Sequence, residues 1–249
     1  MYYLASVYHI ITFVVFSLVY FPLAFITWGL TICFDRRLAV LHLLSSVWAS
    51  SFTWTSPIWN VSVTGRQHVD RKKAYVMVCN HQSMLDIPVI YRIFLHFKWV
   101  SKASLFKIPI IGWNLWMNRH IKLERSSIKS QRKMLRICAE NIQRGSSVMI
   151  FPEGTRSRDG KLRAFKEGAF LIALQQKTDI LPIVLDGSSG ALPERGFFPN
   201  RKRNICLHIL PPIPYVTFKD MGIRKLTEHV HTIIADELAE MRAQQSQKA

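Results

Sequence analysis

The chain divides into two hydropathy regimes. Residues 4–34 contain no Lys, Arg, Asp or Glu and are rich in Phe, Leu, Ile, Val and Tyr. That run exceeds the ~20 residues a spanning helix needs. Pro22 lies mid-run, where it is expected to kink or divide a helix. Asp35-Arg36-Arg37 ends the run. Residues 38–60 again lack charge but are wetter, with Ser45, Ser46, Ser50, Ser51, Thr53 and Thr55 among Trp48, Trp54 and Trp59. Trp at this density beside an apolar run suits a membrane–water interface. From Val61 onward, short apolar runs alternate with amphipathic stretches. Residues 75–79, 98–101, 120–123, 148–151, 180–185 and 205–210 are predicted strands, by length and β-branched content. Residues 83–97, 127–144 and 164–177 are predicted helices, the second stopped by Gly145. A last helix, about 222–244, is polar on most faces and is expected to cover a sheet edge. The alternation predicts an α/β body with a mixed, mostly parallel sheet flanked by helices. The expected division is 1–60 for an N-terminal membrane-attached helical segment and 61–249 for the body.

Charge sharpens this division. The formal net charge is +17, yet only Asp35, Arg36 and Arg37 are charged in the first 65 residues. A basic body behind an apolar segment predicts attachment to a membrane with anionic lipid. Nucleic acid is not expected as a partner, because zinc-ligand spacing, an RNA-binding signature and an Arg-rich tail are all missing. A cleaved signal peptide does not fit either: Met1-Tyr2-Tyr3 has no basic side chain and the apolar run is too long. Two readings of the segment remain open. One is a single span with Arg36 and Arg37 on the cytoplasmic side. The other is a two-helix hairpin dipping into one leaflet. Both put the body on the cytoplasmic face of the inner membrane. Cys33, Cys79, Cys138 and Cys206 are scattered, which argues against a metal cage or a disulfide framework. They read as buried thiols in a reducing compartment. Cys79, two residues before His81, reads as an apolar strand-end residue.

Two segments carry candidate chemistry. Asn80-His81-Gln82-Ser83-Met84-Leu85-Asp86 follows a predicted strand, and strand C-termini are common ligand sites in such sheets. Ser83 is a candidate helix cap. A spacing of five does not stack His81 over Asp86 on one helix. It works if His81 sits in the turn before the helix and folds back. A carboxylate on one imidazole nitrogen fixes the tautomer and raises the basicity of the other, as a general base for an alcohol requires. Taken alone, the pair would read as a strand-end histidine and a helix-surface charge. Asn80 and the second segment tip the balance. That segment, Phe151-Pro152-Glu153-Gly154-Thr155-Arg156-Ser157, follows another strand. Gly154 permits a tight turn with exposed N–H groups, which suits an anion. Arg156 offers bidentate donors to phosphate. Lys166 sits near a helix start and is a further candidate. Arg158 and Lys161 read as a solvated basic loop.

These segments resemble the blocks of the glycerolipid acyltransferase family, over about residues 60–215. His81 and Asp86 match the first block and residues 151–157 the third. Residues 107–113 and 121–125 look like the second, in which Arg125 matches an acceptor-binding arginine. Residues 181–184 match the fourth. The resemblance implies that 61–249 is the catalytic domain. His81 would deprotonate the sn-2 hydroxyl of lysophosphatidate for attack on acyl-CoA or an acyl carrier protein thioester. Asp86 would orient His81, while Arg125, the Glu153–Gly154–Thr155 turn, Arg156 and Lys166 would hold the acceptor phosphate. Ser83 is not needed as a nucleophile, and no metal or cofactor is implied. A groove must receive the acyl chain. Phe94, Phe97, Leu105 and Phe106 are candidates for its wall, and residues 109–113 with Trp116 for an interfacial stretch. The alternatives are a sibling enzyme acting on lysophosphatidylethanolamine or a lyso-ornithine lipid, and a non-catalytic lipid-binding protein.

Overall fold

The first helix, α1 (Tyr2–Thr31), runs unbroken through Pro22. The computed structural model to which it belongs describes residues 2–157, 159–192 and 202–247. Pro22 does not divide the helix because its neighbours are pinned from the side. Tyr20 stacks on Trp48 at 4.6 Å, and Phe21 meets the same indole edge-on. Trp48 belongs to α2 (Ala39–Trp54). The two helices form an antiparallel hairpin, with Tyr8 bonded to Thr55, Phe13 against Phe52 and Tyr20 bonded to Ser45. α1 is the one helix among the described residues long and apolar enough to cross a membrane, and only 17% of its most apolar window is buried.

Seven strands form the sheet: β1 (Trp59–Thr64), β2 (Val76–Cys79), β3 (Phe97–Lys102), β4 (Ile121–Leu123), β5 (Ser147–Ile150), β6 (Ile180–Asp186) and β7 (Arg203–Ile209). Their order is β1-β7-β6-β2-β5-β3-β4. Every pairing is parallel except β6–β7. The mixed, mostly parallel sheet is the expected one. β2 and β6 are buried along their whole length, as strands covered on both faces must be. Met77 and Cys79 of β2 pack into the core beneath α2 and α3 (Asp86–Tyr91). Val76 and Val78 pack into the opposite core. That second core also takes α5 (Ile128–Gln143) and α6 (Gly168–Gln176).

Several boundaries differ from expectation for local reasons. β1 begins two residues before the change of pattern at Val61. α3 covers only part of 83–97, because residues 81–83 are held by the Asp86 side chain and Phe94 adopts a left-handed φ of 55° before β3. Ser83 does not cap it; its Oγ accepts from Leu85 N. α6 starts after 164, since Arg163 N and Lys166 N bond the turn that follows β5. α4 (Ile111–Met117) and the single turn α7 (Tyr215–Phe218) were not expected as helices. α8 (Ile223–Gln247) packs over a sheet face, not an edge. Leu226, Val230, Ile234 and Leu238, one helical turn apart, are buried in the second core. Cys33 is exposed and Cys206 half-buried, so only Cys79 and Cys138 fit the buried-thiol reading.

The N-terminal hairpin is tied into the body by buried polar groups. Tyr20 and Ser45 both donate to Asn114 Oδ1 of α4, and Asn118 Nδ2 donates to Ser45. Lys98 is buried, and its Nζ donates to Arg37 O and Asn118 O, each at 2.7 Å. Burial pushes that ammonium down to about 7.

Gly65, directly after β1, has φ 80°, and a Cβ there would lie 2.0 Å from Ile209 O. Gly65→Ala is expected to destabilise the protein by about 3 kcal/mol, through strained backbone and a clash with backbone. Thermal unfolding in detergent measures this; an unchanged midpoint would contradict it.

Candidate active site

The parallel register of β2 and β5 brings both candidate segments to one edge of the sheet. Val78 pairs with Ile150, so residues 80–83 emerge beside Phe151 and Pro152. His81 lies in the turn before α3, and Asp86 is the first residue of that helix. His81 Nδ1 bonds Asp86 Oδ2 at 2.7 Å. An ionised carboxylate only accepts, so Nδ1 carries the proton and the lone pair is left on Nε2. Nε2 has no hydrogen-bond partner among the described residues.

Asp86 is fully buried and held from every side. Its Oδ2 also accepts from Gln82 N at 2.7 Å and Ser83 N at 2.9 Å. Its Oδ1 accepts from Ser188 Oγ at 2.5 Å. The imidazole face stacks on Phe151, centroids 3.9 Å apart and planes 11° from parallel. His81 is thus fixed by a carboxylate at one edge and a ring on one face, with one nitrogen left for chemistry.

Glu153, grouped in the sequence with the phosphate-binding turn, turns its carboxylate inward. Oε1 accepts from His81 N at 2.6 Å and Oε2 from Arg163 N at 3.0 Å. Burial pushes this carboxyl above its usual range, against the pull of those two amides. It is a brace between the two motifs; a buried carboxylate with both oxygens engaged has nothing to offer an anion. Ser157 N donates to His81 O, a second tie between them.

The cations lie outside this frame. Gly154, with φ 71°, is covered by the Lys166 stem, whose carbons and Nζ would lie 3.0–3.3 Å from a Cβ there. Lys166 therefore shares the turn that carries Thr155 and Arg156. Arg125 stands apart. It follows β4, three strands from β2, roughly 14 Å at ~4.8 Å per strand. Among the described residues, the side chains of Arg125, Arg156 and Lys166 have no ion pair or hydrogen bond. Arg158 lies outside the described residues.

Asn80 belongs to the first motif, and further contributors were not expected. Asn80 bridges to β6, donating to Leu185 O and accepting from Leu185 N. Gln82 Nε2 donates to Asp186 Oδ1, which also accepts from Arg242 of α8. Arg242 donates to Gly160 O as well. Ser188 and Arg242 are distant in sequence from both motifs, so only the pairing of β6 with β2 could have revealed them. Cys79 is fully buried; burial and the nearby Asp86 and Glu153 carboxylates push its thiol well above its usual range. It is unsuited to nucleophilic attack.

A groove of about 420 Å³ opens between the hairpin and the body. Phe13, Trp48 and Phe52 form one wall; Met84, Pro88 and Trp99 are on the other. Of the four expected wall residues only Leu105 lines it. Phe97 is buried core, as are the ring contacts it makes. Trp99 stacks on Phe151, which stacks on His81, so the groove wall is one ring away from the imidazole. Within the expected interfacial stretch, Trp113 and Trp116 are 56% and 64% exposed and meet Phe21 and Trp28 of α1.

The chain is similar to known proteins over this same region. A family model described as Acyltransferase matches residues 60–186. A 1-acyl-sn-glycerol-3-phosphate acyltransferase of Chlamydomonas reinhardtii is 38% identical over 189 residues, 74% of this chain and 56% of that protein. The chloroplastic LPAT1 of Arabidopsis thaliana, of the same description, is 38% identical over 153 residues, 61% of this chain and 42% of that one. A Borreliella burgdorferi protein of that description is 29% identical, with 74% of each chain covered. The chain spans about half the length of the first two relatives. The crystal structure of the 1-acyl-sn-glycerophosphate acyltransferase PlsC of Thermotoga maritima matches with a TM-score of 0.77, at 24% identity and over 98% of both chains. That likeness concerns the fold, whereas the family model covers the stretch that holds both motifs: the chain belongs to the acyltransferase family.

Proposed function

We propose that this protein transfers an acyl chain from a thioester to the sn-2 hydroxyl of 1-acyl-glycerol-3-phosphate, giving phosphatidate. The observation that carries this reading is the His81 imidazole, held by Asp86 with Nε2 free, one ring away from an apolar groove. Nε2 takes the proton of the acceptor hydroxyl as its oxygen attacks the thioester carbonyl. The tetrahedral adduct collapses, the C–S bond breaks, and the departing thiolate of CoA or of an acyl carrier protein takes the proton from the imidazolium. Asp86 stabilises the positive charge in between. Both substrates are held together, so no acyl-enzyme is needed. The acyl chain occupies the groove. Arg156 and Lys166 hold the acceptor phosphate, with Arg125 serving a more distant part of the substrates. The names of the relatives support lysophosphatidate as acceptor, and cations at the turn without partners among the described residues suit its phosphomonoester.

Residues 1–60 act as the membrane anchor and 61–249 as the catalytic domain, the anchor also supplying one wall of the groove. The exposed apolar surface of the hairpin sits in the inner membrane, with the basic body on the cytoplasmic face and against anionic lipid.

Acyl transfer by the detergent-purified protein tests the reading, with oleoyl-CoA or acyl carrier protein thioester and a panel of lysolipids. Phosphatidate formed from lysophosphatidate alone is the expected outcome. Transfer only to lysophosphatidylethanolamine or a lyso-ornithine lipid would move the acceptor, and absence of transfer from folded protein would overturn the reading. Arg156→Gln is expected to raise the acceptor KM about 10- to 100-fold with a smaller change in kcat, the worth of a charged hydrogen bond to phosphate. An unchanged KM would remove Arg156 from the site.

A further inference from the structure

A second cavity, of about 260 Å³, lies at the opposite edge of the sheet from His81. Its lining includes Arg37, His42, Arg71, Lys73 and His96 and, among the described residues, no acidic side chain. These residues precede strands: Lys73 comes before β2 and His96 before β3. The cavity is therefore distinct from the site at the strand C-termini.

Three cations converge on it and keep donors for an anion. Arg37 and Arg71 each give one guanidinium N–H to a backbone carbonyl, of Gly145 and Phe94, and a guanidinium has others to offer. The Lys73 side chain is 61% exposed. His42 and His96 line the cavity as well. The nearest carboxylates are engaged: Asp35 accepts from Val40 N, and Asp179 pairs with Lys73 at 3.8 Å and accepts from Tyr215 N.

Leu43 points to the source of the ligand. It lines the cavity and belongs to an exposed apolar stripe on α2 with Val40, Val47 and Trp54. A basic cavity at the rim of an apolar, membrane-directed face suits a lipid whose chains lie along that face and whose phosphate enters the cavity. We propose that this cavity binds the phosphate of an anionic phospholipid, as a second lipid site separate from the reacting centre. The inference rests on the membrane association proposed above.

Co-sedimentation with vesicles tests it. Retention on pure phosphatidylcholine reports membrane association alone; adding phosphatidate engages both the reacting centre, whose product it is, and the cavity, and the part of the increment lost on changing cavity residues reports the cavity. The variant Arg71→Gln with Lys73→Gln, both at exposed positions, is expected to lower the phosphatidate-dependent affinity about tenfold or more. It should leave retention on phosphatidylcholine unchanged. The control, Lys129→Gln with Lys133→Gln on α5, removes the same charge elsewhere and is expected to change affinity by less than about twofold. In detergent micelles, short-chain phosphatidate should shift the imidazole resonances of His42 and His96. Equal losses in the two double variants would reduce the effect to diffuse attraction and overturn the proposal, as would unmoved His42 and His96 resonances. The same shifts with inorganic phosphate at equal concentration would overturn the lipid source.

Discussion

Replacing His81 by Ala is expected to lower acyl transfer by about a thousandfold or more, within the range that positioned acid–base groups contribute. The effect should fall on kcat, because the imidazole acts on the hydroxyl proton and not on the phosphate. The fold should survive. His81 is tied to its surroundings through backbone N and O, to Glu153 and from Ser157, and neither bond needs the ring. Asp86 loses one donor and keeps Gln82 N, Ser83 N and Ser188 Oγ. Single-turnover acyl transfer and thermal unfolding on the same preparation separate chemistry from stability. Activity within tenfold of wild type in a folded protein would falsify the base assignment.

Asp86→Asn should cost nearly as much, about 10²- to 10⁴-fold in kcat, for a different reason. Asp86 Oδ2 accepts from three donors at once and Oδ1 from Ser188. The amide oxygen can face the three N–H groups while the amide nitrogen donates to Ser188 Oγ, so the local fold is kept. The negative charge beside the imidazolium is lost. Asp86→Ala goes further and strands three donors at a position with no solvent access, for an expected destabilisation of about 3 kcal/mol or more. The diagnostic is the contrast between the two: Asn should lose activity with an acceptor KM and an unfolding midpoint near wild type, Ala should lose both activity and stability. Full activity in the Asn variant would show that no charge is needed behind His81.

The pattern of the body was legible because fully buried strands leave short, unmistakable apolar runs. The segment 75–79 and β2 agree to within a residue, and so do 148–151 and β5. β1 was obscured by composition. Trp59, Val61 and Val63 alternate with Asn60, Ser62 and Thr64, a strand period, but the residues before them are equally free of charge. A boundary drawn on charge therefore fell inside the strand. The helix expected over 83–97 is shortened at both ends: the Asp86 carboxylate folds back onto the amides of Gln82 and Ser83, and Phe94 turns left-handed before β3. α8 looked polar because its buried face, centred on Leu226, Val230, Ile234 and Leu238, is narrow and includes Thr227. In the site, the His81–Asp86 pair could be read only beside Asn80 and the second segment, since the spacing alone fits a strand-end histidine and a helix-surface charge. Glu153 could not, since a carboxylate beside Gly154 and Arg156 looks like part of an anion site until its two amide donors are seen. Ser188 and Arg242 carry no local signal at all.

The order of the strands has a consequence for biosynthesis. Among the described residues β1 pairs only with β7, and Trp59 lies opposite Arg203. The hairpin and β1 leave the ribosome before the other strands, whereas β7, the strand that completes β1, comes only after β2–β6. At typical elongation rates the delay is on the order of ten seconds. Throughout it, β1 lacks its neighbour, although the groove residues Met84, Pro88 and Trp99 have already been made. The hairpin is therefore made well before the sheet can close, and synthesis of β7 locks the body onto a segment already in place.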